Sequence, residues 1–288
     1  RRAMTHKYVY RFEANGQIRC LSKEVGRLTV TTSLDGVQTT TSLGPFASAE
    51  RDLLRVTAAA LEADRLSPRR PPTTRRRAPR SMAASSRIQR SLHWQRRLEL
   101  QVCVESPERW SEVAPQLAEL LSFMTDDSWD LRFEPCRRLE HGQQQLLPLE
   151  HPESIREVAL FSGGLDSVAG MFAQGIDAKG SLLAVSSCGN DVQETAQTRA
   201  FKTLRRFGVQ ADWLKLKHQL CHRRTRSEME ASQRSRGLLF LAMGAVAASH
   251  SRLRTFSVYE TGTGCINLPT SAAQAGAQGP RAVHPRTL

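Results

Sequence analysis

Ser162, Gly163, Gly164, Leu165, Asp166 and Ser167 form one run directly after the apolar stretch 158–161, and their types suit the holding of phosphate groups. Two adjacent glycines lack the Cβ that would keep a backbone away from a ligand, and they reach φ values other residues avoid. Residues 166–174 (DSVAGMFAQ) read as a helix that follows at once. The free N–H groups of its first turn and the positive end of its dipole favour an anion. The hydroxyls of Ser162 and Ser167 can donate further hydrogen bonds. The spacing is neither GxxxxGK[ST] nor GxGxxG, so it describes neither of the two commonest phosphate loops.

The elements that must position this run follow from periodicity. From residue 157 onward, strands and helices alternate, which implies an α/β fold with a parallel sheet and crossover helices. Strands are expected at 158–161, 181–187, 210–216 and 255–259, and helices at 166–174, 192–207 and 232–250. Ligands of such sheets sit at the carboxyl ends of the strands. That rule gathers Asp166, the loop 187–190 and the segment 260–267 around one crevice.

Upstream, 6–14 and 27–33 read as strands and 48–64 as an amphipathic helix. Then come a strand at 97–105, a helix at 107–124 that Pro115 should kink or restart, and a strand at 129–136. The expected organisation is an α+β accessory domain over 1–145 and a nucleotide-binding domain over 151–288. A glutamine-rich stretch at 142–149 joins them.

Of 288 residues, 40% are hydrophobic, and no stretch approaches the length of a membrane span, so a cytoplasmic protein with no membrane partner is expected. The six cysteines, Cys188 and Cys265 among them, include no CxxC pair and suggest neither a disulfide framework nor a zinc site. A net charge of +13 admits nucleic acid as a partner. Much of that excess lies in the Arg-, Pro- and Ser-rich segment 68–90, which reads as a mobile basic loop, so nucleic acid is not favoured.

The run SGGLDS resembles the PP-loop of ATP pyrophosphatases, enzymes that cleave ATP between its α and β phosphates. Together with SRGLLFLAMGA at 235–245, ETGTGCINLP at 260–269, AQAGAQGPRAVHPRTL at 273–288 and ELLSFMTDDSWDLRF at 119–133, it resembles the QueC-like branch of that superfamily. Within the branch it is most similar to the QatC-type proteins of the Qat anti-phage defence systems, which carry an extra N-terminal domain.

That resemblance implies an ATP- and Mg²⁺-dependent enzyme that adenylates a carboxylate such as 7-carboxy-7-deazaguanine, for amide or nitrile formation or for conjugation to an amine. Other proteins of the defence system are the implied partners. Ser162, Gly163, Gly164, Leu165, Asp166 and Ser167 would hold the nucleotide, with Asp166 and Ser167 at the chemistry and Asp166 also at the metal. Arg236 is a candidate phosphate contact and equally a candidate surface residue.

Cys188, Glu260, Gly262, Gly264 and Asn267 are candidate substrate residues, and Arg281, His284 and Arg286 lie in a segment the resemblance marks as functional. QueC-type enzymes carry a zinc site of clustered cysteines near the C-terminus; this sequence shows none, and with Arg1 in first place it is expected to be a fragment. Two other readings stay open: a tRNA-modifying PP-loop enzyme, and a non-catalytic ATP-binding subunit of a defence complex.

Overall fold

A computed structural model describes residues 6–20, 23–34, 37–39, 46–69, 95–136, 155–176, 180–189, 191–222, 228–231, 233–260, 281, 284 and 286–288. The basic segment from residue 70 to 94, the glutamine-rich stretch and the positions of Gly262, Gly264, Cys265 and Asn267 lie outside them.

The chain is α/β. Strands β1 (His6–Phe12), β2 (Gln17–Cys20), β3 (Lys23–Leu34) and β4 (Val37–Thr39) lead to helix α1 (Ser48–Leu66). Strand β5 (Arg96–Val104), helix α2 (Pro107–Thr125) and strand β6 (Ser128–Pro135) follow as a parallel crossover unit. Then come β7 (Ile155–Leu160), α3 (Leu165–Gly175), β8 (Ser181–Cys188), α4 (Asp191–Arg206), β9 (Ala211–His222) and α5 (Arg236–His250).

The strands among the described residues join one mixed sheet in the order β6-β5-β1-β2-β3-β9-β8-β7, with β4 alongside β3. Strands β7, β8 and β9 are mutually parallel, as the alternation of elements predicts. Strand β9 outruns the expected 210–216, and its second half pairs antiparallel with β3 from Leu214↔Leu34 to His222↔Gly26. The halves upstream and downstream of residue 150 therefore share one sheet.

Their faces differ. In β5, alternation puts Leu98, Leu100, Val102 and Val104 under α1 and α2, while Arg97, Glu99, Gln101 and Cys103 look the other way. That second face carries ion pairs such as Lys7–Glu99 and Arg11–Glu134. Strand β8, by contrast, is buried on both faces, as a central parallel strand should be. Leu183 and Val185 pack with α1 and α5 through Leu54, Leu239 and Met243. Leu182 and Ala184 pack with Met171 of α3 and Phe201 of α4. Each such side chain contributes about 1.5–3 kcal/mol when it leaves water.

Two expectations change. Helix α2 runs through Pro115 without restarting. The strand expected at 255–259 is a single parallel bridge, Ala159↔Ser257, held by Ser257 N–H to Val158 O (2.8 Å) and Leu160 N–H to Ser257 O (2.9 Å). No helix among the described residues is long and apolar enough to cross a membrane.

Candidate functional site

The run Ser162–Ser167 leaves a fixed strand end. Phe161 is fully buried, its N–H bonds Val185 O at 2.8 Å, and its carbonyl accepts the Ser186 hydroxyl at 2.6 Å. Its ring meets Phe201 and Trp213 edge-on, so the loop begins where β7 can no longer move. Gly163 then turns at φ +76°, in the left-handed region. A Cβ there would stand 3.0 Å from Gln197 Cα, tighter than ordinary contact. Gly164 is the N-cap of α3 in extended conformation, and its carbonyl takes the Val168 N–H at 3.0 Å.

The two serines divide the work. Ser162 is exposed, and its Oγ accepts the Gly164 N–H at 3.2 Å. Ser167 is buried; its Oγ donates to Gly164 O at 2.9 Å and stands 3.1 Å from Ser162 Oγ. Ser167 thus braces the loop from below. Leu165 and Asp166 are exposed on the first turn of α3, whose leading N–H groups have no intrahelical acceptor.

Gln197 holds the loop from α4. It is buried, and its Nε2 donates to Ser187 O at 3.1 Å and Ser162 O at 3.4 Å. Its Oε1 is buried with no hydrogen-bond partner. Gln197, Phe201 and Leu204 are the buried stripe of α4, and an amide within an otherwise apolar stripe was the sequence signal for this residue.

At the carboxyl end of β8, Ser187 Oγ lies 3.2 Å from His218 Nδ1, and both residues are buried. Gly189 closes over the ring, since a Cβ there would meet His218 Nε2 at 3.2 Å. Burial, and then the guanidinium groups of Arg65 and Arg236, push His218 down to about 4. Arg236 opens α5 half-buried, with its own pKa lowered by burial, and its guanidinium makes no hydrogen bond or ion pair among the described residues. A half-buried cation without an anion is a natural counter-charge for a ligand. Cys188, in contrast, is buried against Leu216 O at 4.0 Å, its thiol pushed up by burial first and Glu194 second, so it belongs to the packing beneath the crevice.

Glu260 comes to the same loop. Burial first, and then the charge of the Asp166 carboxylate, raise its pKa. Tyr259 positions it: the ring occupies the space beside Gly170 of α3, 2.2 Å from where a Cβ would be, and the hydroxyl donates to Glu157 Oε1 at 2.6 Å. Among the described residues, no group of three or more His, Cys, Asp or Glu is placed to hold a metal ion. Gly262, Gly264 and Asn267 lie outside the described residues.

Arg281, His284 and Arg286 are elsewhere, on α2. Arg281 pairs with Asp126 at 3.0 Å and Arg286 with Glu119 at 2.6 Å, while both guanidinium groups cover the Phe123 ring at 4.8 and 4.9 Å. The His284 ring packs on the same phenyl at 5.2 Å. Their contacts fasten this segment to the upstream half.

The His218 environment predicts a pH dependence. Folded His218 titrates near 4 and an ordinary histidine at 6.5, so between those values the unfolded chain binds the extra proton. Stability falls as pH drops through that window, by up to roughly 3 kcal/mol. Urea unfolding followed from above 6.5 down towards 4 should show that slope, and His218→Gln should flatten it. An unchanged slope in the variant would assign the loss to other groups. Compared with protein families, curated proteins and solved structures, the chain matches none.

Proposed function

We propose that this chain is an ATP-dependent enzyme of the PP-loop kind that transfers AMP to a carboxylate resembling 7-carboxy-7-deazaguanine and releases pyrophosphate. The observation that carries the reading is the Ser162–Ser167 loop: a left-handed Gly163 seated on Gln197, an exposed Ser162, and the open first turn of α3, all at the carboxyl end of a buried parallel strand. Its surroundings fit a polyphosphate. Arg236 is a half-buried cation without an anion among the described residues, and Asp166 and Glu260 are exposed carboxylates whose charges act on one another, a type that carries Mg²⁺.

A carboxylate is a poor electrophile; esterification to AMP turns one of its oxygens into a leaving group, which an amine then displaces to give an amide. Bound Mg²⁺ would supply charge neutralisation for the departing pyrophosphate. The residues of this chain do the rest. The glycine backbone and the N–H groups of α3 hold the phosphates, Ser167 and Gln197 keep the loop in shape, and Arg236 offsets charge that grows on the leaving group. Anti-phage defence, with partner proteins of that system, is the setting this reading implies.

The test is pyrophosphate release from ATP and Mg²⁺ with the deazapurine acid, with tRNA and with neither. We expect release only with the acid, and a fall of roughly 100-fold or more in Asp166→Ala. Release driven by tRNA would move the assignment to RNA modification. ATP binding without release under any condition would leave a nucleotide-binding subunit and overturn the enzymatic reading.

A further inference from the structure

Strand β6 ends the sheet: among the described residues it pairs with β5 on one side and with no strand on the other. One bond tells which of its backbone groups are spare. Cys136, just past the strand, gives its N–H to Val104 O at 2.8 Å, so its backbone turns towards β5. Along a strand the N–H and C=O of one residue point to the same side, and successive residues alternate. The register with β5 runs without a shift from Ser128 to Pro135. The backbones of Asp130, Arg132 and Glu134 therefore also turn towards β5, and those of Trp129, Leu131, Phe133 and Pro135 turn outward. Pro135, which has no N–H, falls in the outward phase, where an edge strand tolerates it.

The side chains divide between two faces. Trp129, Leu131 and Phe133 lie on the α2 side, where Trp129 is buried and the other two are half-buried. Asp130, Arg132 and Glu134 lie on the open face. Glu134 is engaged within its own sheet, by Arg11 at 2.9 Å. Asp130 and Arg132 meet each other only at 3.5 Å, with 36% and 70% of their side chains exposed.

A second β6 laid antiparallel along this edge must match outward residues with outward residues, so the possible symmetric registers differ in steps of two. Centred on Leu131, the register sets Trp129 against Phe133 of the second copy, and the spare N–H and C=O groups of all three residues find partners. Asp130 then stands opposite Arg132, and Arg132 opposite Asp130. These are non-hydrogen-bonded positions, where Cα atoms approach to about 4.5 Å and opposite charges stabilise the pair. The neighbouring registers fail on charge. Centred on Asp130, the edge sets that acid against itself; centred on Arg132, it sets arginine against arginine and Asp130 against Glu134.

We infer that β6 is a self-recognition edge through which two copies of this chain form a symmetric dimer, antiparallel, with Leu131 on the two-fold axis. The axis stands perpendicular to the sheet, which continues from one copy into the other with α2 on the same side of both. Leu131 and Phe133 lose their remaining exposure, and the open edge is closed. The Ser162–Ser167 loop follows β7, at the opposite end of the strand order, so the inference is independent of the nucleotide reading.

The test is sedimentation of the whole chain over a range of concentrations. We expect a dimer that dissociates on dilution. Arg132→Asp and Asp130→Arg should each weaken it by roughly tenfold or more, since each sets like charges opposite one another twice. Both side chains reach solvent, so thermal unfolding of the diluted variants should stay near that of the wild type. Mixing the two variants should bring dimers back as heterodimers, because one chain then offers two acids and the other two arginines. A chain that stays monomeric throughout overturns the inference. Slow hydrogen exchange at the amides of Trp129, Leu131 and Phe133 in that monomer would assign the edge to another segment of the same chain. A dimer that both single variants leave unchanged, or one that mixing fails to restore, also overturns it.

Discussion

A Gly163→Val substitution is expected to abolish measurable nucleotide binding while the sheet stays folded. Gly163 sits at φ +76°, where a β-branched residue costs about 1–3 kcal/mol. The new Cβ would also come within 3.0 Å of Gln197 Cα, a backbone atom of a packed helix that cannot swing aside. Relief requires the loop to move, and that breaks the Gln197 bond to Ser162 O and the Ser162 bond to the Gly164 N–H together. If those N–H groups form a phosphate cradle, ATP affinity should fall by roughly tenfold for each 1.4 kcal/mol of geometry lost. Gly164→Ala is the matched control. Its φ is −80°, and the added methyl would meet only Ser162 Oγ at 3.3 Å, so binding should weaken little. Calorimetric titration of both variants with ATP decides the matter; wild-type affinity in Gly163→Val would remove the loop from the binding site.

What was legible in the sequence was whatever depends on neighbours along the chain. The SGGLDS run, the strand before it and the helix after it stand within a residue or three of their expected places because glycine, capping and apolar spacing act locally. The elements β5, β8 and α4 were legible for the same reason. Contacts between distant segments were not. Gln197 reaches the loop only because its helical register brings it there, and His218 joins the site because β9 continues past its expected end to pair with β3. Position 257 keeps one bridge instead of a strand because Phe256 and Tyr259 are drawn onto helix glycines, Gly244 and Gly170, and pairing with β7 gives way to that packing. Arg281 and Arg286 carry positive charge that suits phosphate, and nothing in their spacing announces that Phe123, Asp126 and Glu119 would claim them.

The second large effect concerns a buried ion cluster of the upstream half that also anchors Ser235 of the downstream half. Arg96 is almost wholly buried at the start of β5, and its Nη2 pairs with Asp64 Oδ1 and Asp127 Oδ2, both at 2.5 Å. Its Nη1 adds bonds to the carbonyls of Asp64, at 2.9 Å, and Ser67. Burial alone would lower its pKa; the hydrogen bond to Asp127 and the charges of Asp64 and Asp127 outweigh this and raise it. Arg96→Met keeps much of the volume but leaves two buried carboxylates with Arg69 as their shared cation, 2.6 Å from Asp127 and 3.8 Å from Asp64, so the cost should reach at most about 3–5 kcal/mol. Thermal unfolding should fall by roughly 10 °C at 2–4 °C per kcal/mol.

Combining Arg96→Met with Asp127→Asn should recover part of the loss, because one buried negative charge goes with the positive one and Arg69 keeps Asp64 and Glu230. A near-neutral Arg96→Met would show that water or relaxation already screens these acids. Asp64 adds a functional consequence. Its Oδ2 accepts the Ser235 hydroxyl at 2.9 Å and the Ser235 N–H at 3.2 Å, which fixes the residue that caps α5 and stands next to Arg236. Asp64→Ala should therefore weaken ATP binding under conditions where the variant is fully folded. Arg96→Met, which leaves those two bonds in place, should lose stability without the same loss of affinity. If both variants lower affinity in proportion to stability, Asp64 acts on the fold alone and Arg236 does not depend on the anchor at Ser235.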